Sequence, residues 1–600
     1  MGNIMNLTAV RNKPSRDGYD LSQKINFTAK VGELMPVWWT PVLPTDSLRV
    51  KVNNFIRTQS LNSAAFARMR GYFDFYFVPF SQMWQHFNTA VTQMNTNLQY
   101  ASGPVISDNK ALSGQLPYFT CEQVAKYIIS LGQKKNAFGF FRSTMTCRLL
   151  EYLGYGNFYP YDPNGSQKWT WDEHPMLNNL ALSPFSLMAY QKIYADYNRY
   201  TQWERTNPST FNMNYITGYG DLNLDLMVPG FTDTYNFLDL RYSNWQKDLF
   251  HGVLPVAQYG EASVVPLGGE MSVIPNNEYA SPLFEGKGAG VSEGDYVVLS
   301  REAGTGGFRL KTEEGIPLGW NSPELKVPAA NNNLSLSVLA LRRAEASQKW
   351  KEVSLASEED YPAQIGAHWG EKPSDFLSGM CRYLGGITSN LDINTITNTN
   401  LADDNAALQR ATGTFNAAGG IKFDSAGQYG IVMCVFRALP ILDYTTTGVY
   451  FGATLTDVTD FPIPEFDRIG MESVPVCRAL NPALETPSSP PIKADTYFGY
   501  APRYIDWKTA IDVSRGEFTN TLESFVMKFN DDDLLAADSV DYPDNPNVES
   551  DSIKAGFFKV NPHTVDTLFA VDADKADHLL CSTFFDVKVV RSLDKNGLPY

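Results

Sequence analysis

The residues of this 600-residue chain whose types and spacing suit chemistry are few. Ser292 sits in Gly290-Val291-Ser292-Glu293-Gly294, the spacing of a nucleophile elbow. That elbow needs a buried strand before the serine and a helix after it. Here FEGKGAG precedes and the strand-like DYVVLS follows, so the segment reads as a glycine-rich turn. His86, His174, His251, His368, His563 and His578 are too scattered for a sequence-local metal pair, and each is expected to be structural. The acidic segment from Asp572 to His578 (DADKADH) has carboxylates at a calcium-loop-like spacing. It lacks the central glycine and terminal bidentate glutamate of an EF-hand. A solvated acidic loop is predicted, with calcium at a subunit contact as the alternative, and Asp531-Asp532-Asp533 reads as a solvated turn. Cys121, Cys147, Cys381, Cys434, Cys477 and Cys581 form no CxxC pair and are expected as free buried thiols of a reducing compartment. No HExxH and no Walker-type phosphate loop occurs. The expectation is no enzyme: no catalytic residue, no metal, no cofactor.

Binding is the better prospect. Between Met1 and Arg70 ten Lys/Arg face only Asp17, Asp20, Glu33 and Asp46, a balance of +6. Asp531 to Asp577 holds twelve Asp/Glu and three Lys, a balance of −9, within a chain whose net charge is −16. Phosphate binding needs local positive charge, so the whole molecule is no nucleic-acid clamp, but one basic side can face nucleic acid. Arg11, Lys13 and Arg16 are the candidate phosphate contacts; an exposed arm without a partner is the equal alternative. Trp38 and Trp39 are adjacent in a strand-like stretch and must point to opposite faces, one to the core and one to an interface.

The elements that position these residues are strands at both ends and helices between. Ile25, Phe27, Ala29 and Val31 alternate, as do Leu48, Val50 and Val52, then Phe73, Phe75 and Phe77, then Phe585, Val587 and Val589. Tyr429 to Leu439 reads as another strand, and GIVMCVFRALPIL (Gly430 to Leu442) as buried and too short to span a bilayer. Thr120 with Gln123 forms a capping-box pattern for a helix that Gly132 ends. Ser143 is expected to cap a second helix stopped at Gly154, and Ser183-Pro184 to start a third. A fourth is predicted from Val338 to Val353, capped by Ser337.

A chain of this length exceeds the roughly 250–300 residues at which one core stops growing. Its 43% hydrophobic and 19% charged residues are those of a folded protein. With 36 Phe, 31 Tyr and 11 Trp, its aromatic content suits large half-buried interfaces. One β-scaffold with long insertions fits this pattern better than a string of domains. Gly260 to Asn333, rich in Gly, Pro and short β-runs, reads as a small β-subdomain or a protruding loop. The opening MGNIMNLTAVRNKPSR reads as lacking a signal peptide.

Several phrases together resemble the major capsid proteins of microviruses, phages with circular single-stranded DNA. They run in order from FTAKVGELMPVWWTPVLPTDSLRV and ARMRGYFDFYFVPFSQMWQHF through LMAYQKIYADYNR and LRYSNWQKDLFHGVLPVAQYG. LRRAEASQKWKEV, MCRYLGGITSNLDI, PEFDRIGME and GYAPRYIDWKTAIDVSRGEF follow, and NPHTVDTLFA and FFDVKVVR close the series. The variants look closest to the gokushovirus-like and gut Bacteroidetes branches.

The resemblance implies a mainly β fold: a single eight-stranded antiparallel jelly roll with long inter-strand insertions containing helices. On that reading residues 1–24 are a basic arm, 25–600 the jelly-roll domain, and 264–333 an insertion protruding at the threefold axis. It further implies a homo-oligomeric T=1 shell around single-stranded DNA in a virion assembled in the bacterial cytoplasm. The implied partners are a small basic packaging protein, pilot or minor virion proteins and a host surface receptor. The rival reading is a bacterial surface glycan-binding β-protein, which the apparent lack of a signal peptide or lipid anchor disfavours.

Overall fold

Strict alternation of exposed and buried side chains runs along β4, Ser47–Thr58, the mark of a strand with one face in a core and one in solvent. The computed structural model describes residues 15–93, 116–136, 138–159, 179–204, 207–217, 237–265, 338–374, 378–397, 409–445, 448–481, 497–528 and 555–595, with short strands between 274 and 326. Around β4 lie β1 (Asp17–Asp20), β2 (Gln23–Ala29), β7 (Asp392–Thr397), β8 (Gln409–Asp424) and β10 (Leu579–Arg591). Their order is β1-β10-β4-β8-β7, with β2 also pairing β10. A second sheet has the order β6-β5-β9-β3, from β3 (Met35–Val42), β5 (Arg68–Pro79), β6 (Arg382–Asn390) and β9 (Gly430–Ile441). Every pairing within these two sheets is antiparallel.

The two sheets meet through aromatic rings. Phe27 of β2 lies 5.3 Å from Phe436 of β9, which lies 4.9 Å from Phe73 of β5. Trp38 of β3 stacks on Phe585 of β10 at 5.7 Å, and Phe77 meets Phe423 of β8 at 4.7 Å. Burying each such ring contributes about 1.5–3 kcal/mol. Trp39, on the opposite side of β3, is half-buried, and its indole N–H donates to the Leu153 carbonyl at 3.1 Å.

The second sheet is covered on its outer side too. β9 is buried at nearly every position, and β5 from Phe73 to Pro79. Over it lies α3 (Phe185–Tyr197), buried all round from Phe185 to Ala195 as a core helix must be. Tyr190 of α3 donates to the Leu34 carbonyl and accepts from the Arg241 N–H, both at 2.9 Å.

α1 (Cys121–Leu131) carries both bonds of its capping box, Gln123 N–H to Thr120 Oγ1 and Thr120 N–H to Gln123 Oε1, and ends at Gly132 with φ +53°. α2 (Arg142–Tyr152) differs from expectation: its N-cap is Phe141, no side chain caps it, and Ser143 is buried in its first turn. The hairpin bond from Arg142 N–H to the Lys134 carbonyl sets the start of that helix. α4 (Val338–Ala356) runs three residues past the predicted end; its expected cap, Ser337, lies outside the described residues. α5 (Tyr361–Trp369), closed by Gly370 at φ +74°, was not expected.

The chain divides into two compact units, residues 1–260 with 352–600, and residues 261–351. In the smaller unit Val297–Arg301 pairs Phe308–Thr312, Phe284–Gly286 pairs Leu318–Trp320, and Ile274–Pro275 pairs Leu325–Lys326, all antiparallel. The strand expected after Gly294 is therefore present as Val297–Arg301. The Gly290–Gly294 motif itself lies outside the described residues.

Candidate functional site

The residues with chemical potential are bound into packing. His251 is buried, stacked at 4.7 Å on Phe557, with Nδ1 3.0 Å from Asp248. His368 Nε2 lies 3.0 Å from Ser354 Oγ. His174 and Asp531-Asp532-Asp533 lie outside the described residues. Among the described residues no group of three His, Cys, Asp or Glu is placed to hold a metal ion. All six cysteines are free, and all but Cys477 are buried.

The segment Asp572–His578 corrects the expectation of a solvated loop. Its Asp572 does face solvent with Lys575, but Asp577 and His578 turn inward. Asp577 joins Arg148 of α2 at 2.8 Å and Lys30 at 2.7 Å, while Arg148 also reaches Glu33 at 3.0 Å and the Thr28 carbonyl at 3.0 Å. Burial pushes the Asp577 carboxyl up, but Arg148, Lys30 and the hydrogen bonds outweigh it and hold it at about 2. This cluster ties α2 and the segment before β10 to the start of the first sheet.

Nearby, Asp566 accepts from the Ala573 N–H at 2.7 Å and lies 2.7 Å from His563 Nδ1 and 3.5 Å from His578 Nε2. Burial opposes ionisation of Asp566, yet these partners hold it below the usual carboxylate range. The same bond, aided by the negative charge, raises His563. A raised histidine contributes stability in full below its ordinary value of about 6.5 and loses it as pH rises through the raised value. His563→Gln is therefore expected to destabilise most at about pH 5–6 and least near pH 8. Chemical-denaturation midpoints across that range check it; a constant difference would contradict the pairing.

The first sheet leaves one face open. On β4 the exposed side chains are Ser47, Arg49, Lys51, Asn53, Phe55 and Arg57. Register sets Arg49 directly between Lys422 of β8 and Lys588 of β10. Lys588 pairs with Asp20 and with Asp586 at 3.4 Å. Two rings stand on this face, Phe55 at 41% and Phe584 at 43% exposure, with the Arg57 guanidinium 5.2 Å from the Phe55 ring centroid. Arg16 is exposed at the edge of the same sheet, donating to the Thr45 carbonyl at 2.7 Å, whereas Arg11 and Lys13 lie outside the described residues. Sequence reasoning found Arg16 but missed Arg49, Lys51, Lys422 and the two rings. The alternation of SLRVKVNNFIRT already put Arg49, Lys51 and Phe55 on one face.

A second surface is apolar. From Phe451 to Gly470 no residue is buried, and Tyr450, Val458, Phe461, Ile469 and Trp507 stand exposed. Phe451 and Phe461 meet Trp507 at 5.3 and 6.2 Å, so these rings form one patch. Patches of this kind mark interaction surfaces. No helix among the described residues is long and apolar enough to cross a membrane.

Comparison with known proteins agrees. The capsid protein (F protein) family of phages matches residues 9–122 and 170–599. Capsid protein VP1 of Bdellovibrio phage phiMH2K is 22% identical over 527 residues, covering 85% of this chain and 84% of that protein. A chain matched over this much of its length belongs to the phage capsid protein (F protein) family, and it is as a structural major capsid protein that its surfaces are to be understood.

Proposed function

We propose that this capsid protein is a single eight-stranded jelly roll that self-assembles into a T=1 icosahedral shell around circular single-stranded DNA. The observation that carries the reading is strand order. Along the chain the eight principal strands are β2, β3, β4, β5, β6, β8, β9 and β10, and they fall into sheets β2-β10-β4-β8 and β3-β9-β5-β6. Successive strands change sheet at every step but one, β5 to β6, which supports the paired Greek keys of a jelly roll. Helices and loops inserted between strands supply the area that a closed shell needs on every side. The exposed ring patch around Trp507 is suited to a neighbouring copy.

Residues 264–333 are the proposed protrusion at the threefold axis and the segment that meets a host receptor. A small basic packaging protein, pilot or minor proteins and DNA complete the proposed virion, assembled in the bacterial cytoplasm. Arg11, Lys13 and Arg16 are the proposed arm contacts with the genome.

Expression of the full chain followed by sedimentation and electron microscopy tests the central reading. Uniform icosahedral particles are expected. Monomers alone, both from expression and from infected cells, would sink it. Replacing residues 264–333 by a short linker is expected to leave particles intact and to abolish adsorption to host cells. Unchanged adsorption would remove the receptor role from this segment.

A further inference from the structure

We infer that the open face of the first sheet is a platform for single-stranded nucleic acid, on which Phe55 and Phe584 stack bases while Arg49, Lys51 and Lys422 hold phosphates. The inference rests on the coat reading and deepens it, because the sequence pointed only to the N-terminal arm.

Three observations carry it. The first is electrostatic. Like charges directly opposite on neighbouring strands are destabilising, yet Arg49 has a lysine opposite on both sides. Asp20 and Asp586 answer Lys588, and Asp586 also stands opposite Lys51, but among the described residues no ion pair within 4 Å forms at Arg49, Lys51 or Lys422. An external polyanion relieves that arrangement.

The second is aromatic. Phe55 faces Ser582 across the strands and Phe584 faces Asn53, so the rings are diagonal neighbours on one face. Diagonal positions lie about 7–8 Å apart, close enough for one strand to reach both rings. Arg57 beside Phe55, and Lys24 paired opposite Phe584 on β2, place a cation next to each ring. Rings for bases set among cations for phosphates are the recognition chemistry of single strands, whose unpaired bases offer their π-faces.

The third is steric. The open side of β8 carries Asn416, Ala418 and Gly420 beside these residues, a floor without bulky side chains. Gly420 answers to the sheet itself, since a Cβ there would meet the Val50 carbonyl of β4 at 2.5 Å, and its lack of a side chain keeps this floor low. An acidic peptide, the other polyanion to weigh, would use the cations but not the paired rings.

The test uses purified full-length protein, a fluorescent oligothymidine of about twenty nucleotides, long enough to cover a site of several nucleotides, and a duplex of equal length. Wild type is expected to prefer the single strand. F55S/F584S is expected to weaken binding about tenfold or more with an unchanged salt slope, because stacking is not ionic. R49Q/K51Q/K422Q is expected to flatten the slope of log K against log salt by about 2, at roughly 0.7 per lost phosphate contact. All five side chains are exposed, and particle formation checked by electron microscopy shows that each variant folds. Particles whose variants bind as wild type overturn this inference and leave the coat reading standing. Loss of binding in the lysine and arginine variant alone, with full competition by a polyglutamate peptide, assigns the face to an acidic segment instead. Wild type that forms no particles overturns the coat reading, whatever the oligonucleotide does.

Discussion

Arg148→Ala is expected to destabilise the protein by about 3–5 kcal/mol, enough to abolish accumulation of soluble subunit. Arg148 is buried and bridges Glu33, which is wholly buried, and Asp577. Removing the guanidinium leaves one carboxylate without any cation in contact and the other with only Lys30. Desolvated charges left in that state account for most of such losses. Acid should mimic the change in part. Asp577 sits at about 2, below the ordinary carboxylate value of about 3.9, so its contribution is present above that value and lost as pH falls through about 2. Urea midpoints of wild type and variant check the first claim, and a difference under about 0.5 kcal/mol, the range of ordinary surface substitutions, would refute it.

Lys559→Met is expected to cost a similar amount, about 3–5 kcal/mol, for a different element. Lys559 Nζ lies 2.8 Å from Glu204 Oε2 and 2.7 Å from the Tyr194 hydroxyl, with both charged side chains almost wholly buried. Burial pulls the lysine below its usual range, and Glu204 partly restores it. The tyrosine hydroxyl also donates to Glu204 at 2.6 Å. Adding Glu204→Gln removes the orphaned charge while keeping an acceptor for Tyr194, so the double variant should recover most of the loss. A double variant no better than the single would mean that packing of the lysine stem, not charge, holds this site.

These two clusters define what the sequence could and could not disclose. β4 was legible because exposed and buried side chains alternate along it, and α1 because both capping residues lie within four positions of each other. Ser143 misled because a hairpin bond, not a serine, starts α2. Nothing local distinguishes Arg148 from other arginines: its partners Glu33 and Asp577 come from opposite ends of the chain. The open sheet face was half visible. Arg49, Lys51 and Phe55 share a face by simple alternation, but Lys422 and Phe584 join them only through pairings that span hundreds of residues. Residue order shows which side of a strand is wet, and topology decides which wet sides adjoin.

The position of β10 between β2 and β4 carries a consequence for the timing of synthesis. Asp20 and Lys588, joined across this sheet, are 568 positions apart in the chain. At about 5–20 residues per second, a ribosome needs roughly half a minute to two minutes to travel from β4 to β10. Throughout that interval β2 and β4 each have an unsatisfied hydrogen-bonding edge, and such edges recruit other strands. The nascent subunit is therefore most vulnerable to aggregation before translation reaches Leu579. Once β10 inserts, it closes both edges in a single step. A chain that stops short of Leu579 lacks that closure and keeps both edges open to foreign strands.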